Sequence, residues 1–201
     1  DGLPCSMLGT DISDREVGMT ILYILIGVVI LIGLYVVSVY NKYVRLRNQG
    51  EEAESAIDAH LKQRYDLVPN LVETVKGYAK HEEKTLTAVI EARNKAVSAT
   101  GLENKDAADK AFSSTLKSLF ALSEAYPDLK ANQGFLDLQA QLQKIEEQLL
   151  GARKYYNAII KGLNTMIEVF PSSLVASIFH FTKKPYLSIE EEARARVEVK
   201  F

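Results

Sequence analysis

The strongest pattern of hydrophobic and polar positions is an uncharged apolar run near the N-terminus. From Val17 to Asn41 no residue carries a charge, and the run is VGMTILYILIGVVILIGLYVVSVYN. About 20 apolar residues in a helix are enough to cross the hydrocarbon core of a bilayer. Signal peptides have a shorter apolar region that ends at a small-residue cleavage site, and this run has neither feature. Residues 19–41 are therefore predicted to form a transmembrane helix rather than a buried core helix.

The remainder of the chain has helical periodicity. Apolar residues recur at steps of three and four, and alternating apolar and polar runs bounded by turn signals are missing. The predicted soluble helices cover about 42–65, 67–99, 106–125 and 135–170. The last has a coiled-coil-like seam over about five heptads. Short connections place neighbouring helices antiparallel. The predicted fold is thus all-α, with a single N-terminal transmembrane helix followed by an elongated antiparallel four-helix bundle.

A proline decides where the first two soluble helices separate. Asp66 is a favourable N-cap residue, because its carboxylate can accept from free amides of the following turn. Pro69 would then lie in the first helical turn, where amides have no intrahelical acceptor and a proline loses nothing. A second helix is therefore predicted to start after Asp66. The alternative is one helix that continues, kinked, through Pro69.

Flanking charges predict the orientation of the chain in the membrane. Lys42, Arg45 and Arg47 follow the apolar run, whereas Arg15 on the other side stands among acidic residues. The positive-inside rule places the N-terminus outside and the bundle, residues 42–170, in the cytoplasm. Met19 stands where a natural start would lie, so the N-terminal tail of residues 1–18 is either a non-native tag or a native tail.

The C-terminal segment, residues 171–201, is apolar at first and then basic. Because the last bundle helix is predicted to return to the membrane, this segment suits the bilayer surface. An apolar cap folded over the end of the bundle fits equally well. The candidate membrane-interface residues are Phe170, Ile178, Phe179, Phe181, Lys183, Lys184 and Tyr186. Acidic residues after Ser188 predict a short final helix.

Composition and motifs argue against several function classes. The net charge is −2, so no basic excess indicates a nucleic-acid partner. The single cysteine, Cys5, cannot form an internal disulfide. The three histidines lie in no Glu-x-x-His or His-Glu-x-x-His motif, and no phosphate loop, nucleophile elbow or Cys/His cluster is present. The sequence therefore predicts a non-enzymatic protein without a cofactor or metal.

A set of polar residues around the second predicted helix and midway along the fourth still stands out. Its members are Arg64, Asp66, Asn70, Glu73, Tyr78, His81, Arg153, Tyr156 and Asn157. They form either a face that binds a partner or ligand, or a set of buried hydrogen bonds that fix helix register. The second interpretation is favoured, because a polar group inside a helical bundle must be paired or it costs stability.

Three long motifs resemble the LemA family of bacterial membrane proteins. They are RYDLVPNLVETVKGYAKHEEKT from Arg64, YPDLKANQGFLDLQAQLQKIEEQL from Tyr126 and ARKYYNAIIKGLNTMIEVFPSSLVASIFHF from Ala152. With YNKYVRLRN after the apolar run, the resemblance extends from Met19 to Phe201. It implies an N-terminal anchor with a short outside end, a helical bundle, no established catalytic activity and a role in membrane organisation or envelope stress. KGLN (161–164) departs from the family pattern, as does His180, where glycine is common.

The expected function follows from the anchor, the bundle and the missing catalytic motifs. We expect a scaffold or self-assembling tether in the bacterial inner membrane. Its partners would be the lipid bilayer, further copies of the chain and a membrane protein. The alternative is a regulatory or signalling adaptor for a neighbouring membrane protein such as a protease.

Overall fold

The computed structural model describes the backbone of residues 8–189 and the side chains of residues 15–189. In this range the chain is all-helical and contains no strand, which confirms the predicted fold class at that level. The helices are α1 (Leu8–Tyr78), α2 (Glu83–Ser98), α3 (Leu102–Ser123), α4 (Pro127–Lys130), α5 (Gln133–Glu168) and α6 (Ser172–Ile178). The short helix predicted after Ser188 lies in residues 190–201, outside the described residues.

The chain forms two compact units. The first contains the described parts of residues 1–45 together with residues 166–182. The second contains residues 46–165 and the described residues from 183 onward. Helices α1 and α5 each contribute to both units, so each unit is described separately below.

Within the first unit, α1 carries the apolar run predicted to cross the membrane. Among the described residues one helix is long and apolar enough for this by length and composition, over Arg15–Tyr78, and none of its most apolar window is buried. Ile24 and Leu31 have 61% and 66% of their surface exposed. Water-soluble surfaces rarely expose contiguous apolar patches of this extent, because their hydration is costly.

The break predicted after Asp66 is wrong, and the alternative of one helix through Pro69 is the one observed. Helix α1 continues past both residues to Tyr78, and the chain turns at residues 79–82. A proline inside a helix lacks the amide that would bond to the carbonyl four residues earlier, here Tyr65. Arg93 of α2 donates to that carbonyl through Nε at 3.4 Å. The freed acceptor therefore has a partner, and the helix tolerates the proline.

The helix predicted over 67–99 is consequently divided between the end of α1 and α2. The end predicted at about residue 99 is confirmed, since α2 ends at Ser98. Gly101 then adopts a φ of 80° before α3. A positive φ of this size is accessible to glycine without strain from a β-carbon. The helix predicted over 106–125 corresponds to α3, which begins earlier, at Leu102, and ends at Ser123, and Pro127 begins the short helix α4.

The core of the second unit lies between α1, α2, α3 and α5. Helix α1 contacts α5 and the residue just before α5. A β-carbon added at Gly50 would lie 3.2 Å from Ile160 Cδ1, and Asn132 Nδ2 donates to the Tyr78 hydroxyl oxygen at 2.9 Å. The largest fully buried side chains of this unit are Ile57, Val68, Leu71, Val75, Phe112, Leu119, Leu129, Phe135, Leu149, Tyr156 and Ile160.

An aromatic group in the first unit holds α6 against α1. The Tyr43 ring is fully buried and stacks on Phe181, with centroids 4.6 Å apart and planes at 18°. Its hydroxyl donates to the carbonyl of Met166 and lies 3.2 Å from the carbonyl of Ser172. Tyr40 contacts Phe179 at 4.8 Å. The short helix therefore has a defined position beside the C-terminal end of the apolar run.

Candidate functional site

The most deeply buried charge in the described chain is Asp109 in α3, with no exposed surface. Its carboxylate accepts from Arg64 Nη1 at 3.1 and 3.2 Å, from the Tyr65 hydroxyl at 3.1 Å and from Arg153 Nη2 at 2.9 Å. Burying a carboxylate is costly unless charge and hydrogen bonds compensate it. The three donors, two of them from α1 and one from α5, supply that compensation.

The two arginines extend this group to further acids. Arg64 Nη2 lies 2.8 Å from Glu146 Oε2, and Arg153 Nη2 lies 3.1 Å from Asp106 Oδ1. Both carboxylate oxygens lack hydrogen-bond alignment, so these two approaches are ion pairs without directional bonds. We call the set Arg64, Tyr65, Asp106, Asp109, Glu146 and Arg153 the Asp109 cluster.

Aromatic packing completes the surroundings of the cluster. The Arg64 guanidinium lies 5.3 Å from the centroid of the Phe112 ring, and the Tyr65 ring meets Phe112 edge to face. Burial raises the pKa of the Tyr65 phenol above its usual 10.0, and the neighbouring Asp109 carboxylate raises it further. The phenol therefore stays protonated and remains a donor to Asp109 across the physiological pH range.

The geometry of the cluster suits a structural lock between α1, α3 and α5. Its hub is inaccessible to solvent, and a general acid or base must reach a substrate to act. Among the described residues, no group of three or more His, Cys, Asp or Glu side chains could hold a metal ion. The arrangement fixes helix register through paired buried charges, and truncating one member would leave its partners uncompensated.

The structure brings together only part of the predicted polar set. Arg64 and Arg153 meet at Asp109. The exposed members that stay outside the cluster are Asp66, Asn70, Glu73, Tyr78 and His81, while Tyr156 and Asn157 contact the C-terminal segment instead. Asp66 lines an open groove of about 340 Å³ beside Tyr65 and Arg93.

Sequence reasoning missed the hub itself. The predicted polar set did not include Asp109, but the buried face of α3 runs through Asp109, Phe112 and Leu116. The signal was present, because Asp109 precedes Phe112 by three residues and Leu116 by seven, which places all three on one helix face. An aspartate at an inward position needs buried donors, and Arg64 and Arg153 were already in the predicted set.

A second polar arrangement holds residues Lys183–Ser188, which we call the strap, against α5. Asn157 Nδ2 donates to the Leu187 carbonyl at 2.8 Å, and the Leu187 amide donates to Asn157 Oδ1 at 2.9 Å. Asn164 makes the same pair with Lys184, at 2.8 and 3.0 Å. The Tyr156 hydroxyl donates to the Pro185 carbonyl at 3.3 Å.

The predicted membrane-interface residues divide between the two units. In the first, Phe170, Ile178 and Phe179 are 74%, 67% and 45% exposed, whereas Phe181 is partly covered by Tyr43. In the second, Lys183 and Tyr186 are exposed, and Lys184 is bonded through its main chain to Asn164. A continuous interfacial segment from Phe170 to Tyr186 stays a prediction.

Comparison with known proteins adds a family match. A family model described as the LemA family matches residues 53–201. The chain is 30% identical over 144 residues to a protein named Protein LemA from Metamycoplasma hominis. That match covers 68% of this chain and 63% of the relative, so the chain spans less than two thirds of the relative's length.

Proposed function

Because the chain belongs to the LemA family, we propose that it is a non-enzymatic scaffold or self-assembling tether, anchored in the inner membrane of a bacterial cell. The apolar run of α1 would be the anchor. Helices α1, α2, α3 and α5 of the second unit would form an antiparallel four-helix bundle that displays a binding surface.

The observation that carries the proposal is the exposed apolar run of α1. Ile24, Leu31 and Leu34 are each more than half exposed although the run contains no charge. Lipid is the environment in which such a surface is stable, and the run is long enough to cross it.

Two observations support the proposed antiparallel bundle: the order in which residues pair along α1 and α5, and the Asp109 cluster. Gly50 of α1 lies against Ile160 of α5, Arg64 pairs with Glu146, and Tyr78 bonds to Asn132. Residue numbers thus rise along one helix while they fall along the other. Arg93 of α2 bonds to α1, and Asp109 of α3 bonds to both α1 and α5. A bundle locked by buried ion pairs suits a rigid support.

A second lipid contact would come from the apolar surface around α6. Leu174 and Ile178 of α6 and Phe170 just before it are exposed, while Tyr43 ties the same segment to α1 at the end of the apolar run. An amphipathic segment fixed at that level would lie in the headgroup region. An apolar cap over the bundle end is the other interpretation of this segment.

A fluorophore at the Ile178→Cys position of the full chain in nanodiscs tests the lipid contact, with Cys5→Ser as background. Nitroxide lipids should quench it strongly, whereas the same fluorophore at Ser98→Cys should stay unquenched. Equal, weak quenching at both sites would contradict the lipid contact. Labelling of Ser98→Cys from outside intact cells should fail if the bundle is cytoplasmic, and labelling would reverse the proposed orientation.

Self-association is the part of the proposal that separates a tether from a simple anchor. The mass of the full chain in nanodiscs should be measured over a range of protein-to-disc ratios. Discs that hold more than one copy should be more frequent than random insertion predicts. Monomers across the whole range would contradict it.

A regulatory adaptor remains the second candidate, supported by the groove that Asp66 lines. This groove also carries Asp58, Lys62, Arg93 and Lys105, so both charge signs are available to a polar partner. Cross-linking in intact membranes separates the two candidates. Products that contain only this chain favour the tether, and a reproducible product with one other protein favours the adaptor.

A further inference from the structure

Hydrogen bonds between α5 and the strap involve the main chain of the strap. Each of Asn157 and Asn164 uses both ends of its amide, donating to a carbonyl and accepting from the amide of the same strap residue. This paired pattern is the one a neighbouring β-strand would offer, with a side-chain amide in place of the peptide group. The site therefore matches the shape of an extended chain.

The spacing of the two asparagines fits an extended peptide in register. Seven residues separate them along α5, which is about two helical turns and about 10.5 Å of rise, so both lie on one face. Three residues separate Lys184 from Leu187, and three residues make one full turn of an extended polyproline II chain, about 9 Å long, so both residues can turn their peptide groups towards α5. The spacing of the two asparagines along α5 is thus close to the spacing of Lys184 and Leu187 along the strap, and both asparagines can bind one peptide.

Two side-chain contacts add selectivity to this main-chain recognition. Leu187 is only 6% exposed, and the Ser188 hydroxyl donates to Asp106 Oδ2 of α3. Pro185 and Tyr186, by contrast, keep exposed side chains. The site therefore selects an apolar residue followed by a hydroxyl and tolerates variation at the positions before them.

We propose that this face of α5, with Asp106 of α3, is a binding site for an extended peptide. Within one chain the strap fills the site, and the strap of a second copy of this chain can fill it instead. The strap is the sequence shown to fit, and every atom that holds it is the same whether it arrives from the same chain or from another. Such an exchange replaces each contact by an identical one and is a low-cost route to association.

The proposed exchange between copies describes how self-assembly would occur, and it therefore rests on the proposed self-assembly. The proposed peptide site does not depend on self-assembly. Anchoring two copies in one membrane raises their mutual concentration, which favours exchange over a search in solution. The tests below therefore measure the peptide site and the exchange separately.

A labelled peptide of residues 182–189, TKKPYLSI, tests the site by fluorescence anisotropy with the full chain in detergent. The variant Leu187→Asp weakens the chain's own strap and should bind the peptide at least about tenfold more tightly than the unaltered chain, because the tethered competitor is lost. Adding Asn157→Ala and Asn164→Ala to that variant should abolish binding. Circular dichroism of each variant checks that the helices remain folded.

A peptide with an N-methyl group on its leucine is the matched control. It keeps every side chain and replaces with a methyl group the amide hydrogen that the leucine donates to Asn157 Oδ1. It should fail to bind the Leu187→Asp variant. Equal binding of the methylated peptide, or no binding of the unmodified peptide to a folded Leu187→Asp variant, would overturn the site.

Mixing two single-cysteine chains, both with Cys5→Ser, tests exchange between copies. One carries Lys161→Cys, on the two turns of α5 between the asparagines, and the other carries Tyr186→Cys in the strap. A short bismaleimide should link unlike chains in one nanodisc, and excess free peptide should suppress the product. No mixed product would refute exchange. If the chain still inserts and self-associates in that case, the proposed tether stands and only the exchange fails.

Discussion

Arg93 Nε lies 3.4 Å from the main-chain carbonyl oxygen of Tyr65, the acceptor that Pro69 leaves without its helical partner. The proline removes one hydrogen bond from α1, and the arginine of the neighbouring helix replaces it. This contact also places α2 against α1 at the level of the Asp109 cluster, since Tyr65 donates to Asp109 from the same residue. A local defect in one helix is thus used to position the next.

Replacing Pro69 by alanine should stabilise the chain and remove its dependence on Arg93. The alanine restores an amide to α1, and we expect the free energy of unfolding to rise by about 1–3 kcal/mol. In the unaltered chain Arg93→Ala should cost about 1 kcal/mol, and in the Pro69→Ala background clearly less. A double-mutant cycle from chemical unfolding measures the coupling. Additive effects would show that Arg93 does not compensate for the proline.

Truncation of Asp109 should be severely destabilising. Asp109→Ala leaves the Arg64 and Arg153 guanidiniums buried without their shared carboxylate, and we expect a loss of about 3–5 kcal/mol. The matched control is Asp58→Ala, which breaks the partly exposed pair with Lys105 and should cost less than about 1 kcal/mol. Comparable losses for the two variants in urea unfolding would contradict the assignment of Asp109 as the hub.

The stability of the chain should fall above pH 10 in a way that depends on Tyr156. Burial, followed by the charges of Glu54 and Glu103, raises the pKa of this phenol from 10.0 to about 12. The folded chain then holds a proton that the unfolded chain releases, so the contribution is complete below pH 10 and is lost as pH rises towards 12. The stability difference between the unaltered chain and Tyr156→Phe should be constant from pH 7 to 9 and shrink above 10. A constant difference up to pH 11 would contradict it.

Replacing His180 by glycine should stabilise the end of α6. His180 has a φ of 57°, a left-handed conformation that strains residues with a β-carbon. The following amide, from Phe181, donates to the Ala176 carbonyl at 2.9 Å and closes the helix end. His180→Gly should raise the free energy of unfolding by about 0.5 kcal/mol or more, measured by thermal unfolding in detergent. His180→Ala keeps the β-carbon and should give no gain.

The positive φ of His180 also gives a structural reason for one departure from the LemA pattern. Glycine is the residue that the resemblance led us to expect at position 180, and the positive φ of His180 is a backbone conformation that favours glycine. The other departure, KGLN, contains Asn164, whose side chain binds the strap. No periodicity marks either role, because both depend on backbone geometry in the C-terminal segment.

The local pattern by itself determined that the chain is helical, that α1 carries an uncharged apolar run, and that α5 buries Phe135, Leu149 and Tyr156 on one face. These features depend on residue spacing within a single helix, which a sequence displays directly. Tertiary structure decided that Pro69 lies inside a helix, that Asp109 joins three helices and that Asn157 and Asn164 hold the strap. Each of those outcomes required a partner from a distant part of the chain: Arg93 for a freed carbonyl, two arginines for a buried carboxylate, and an extended main chain for two side-chain amides.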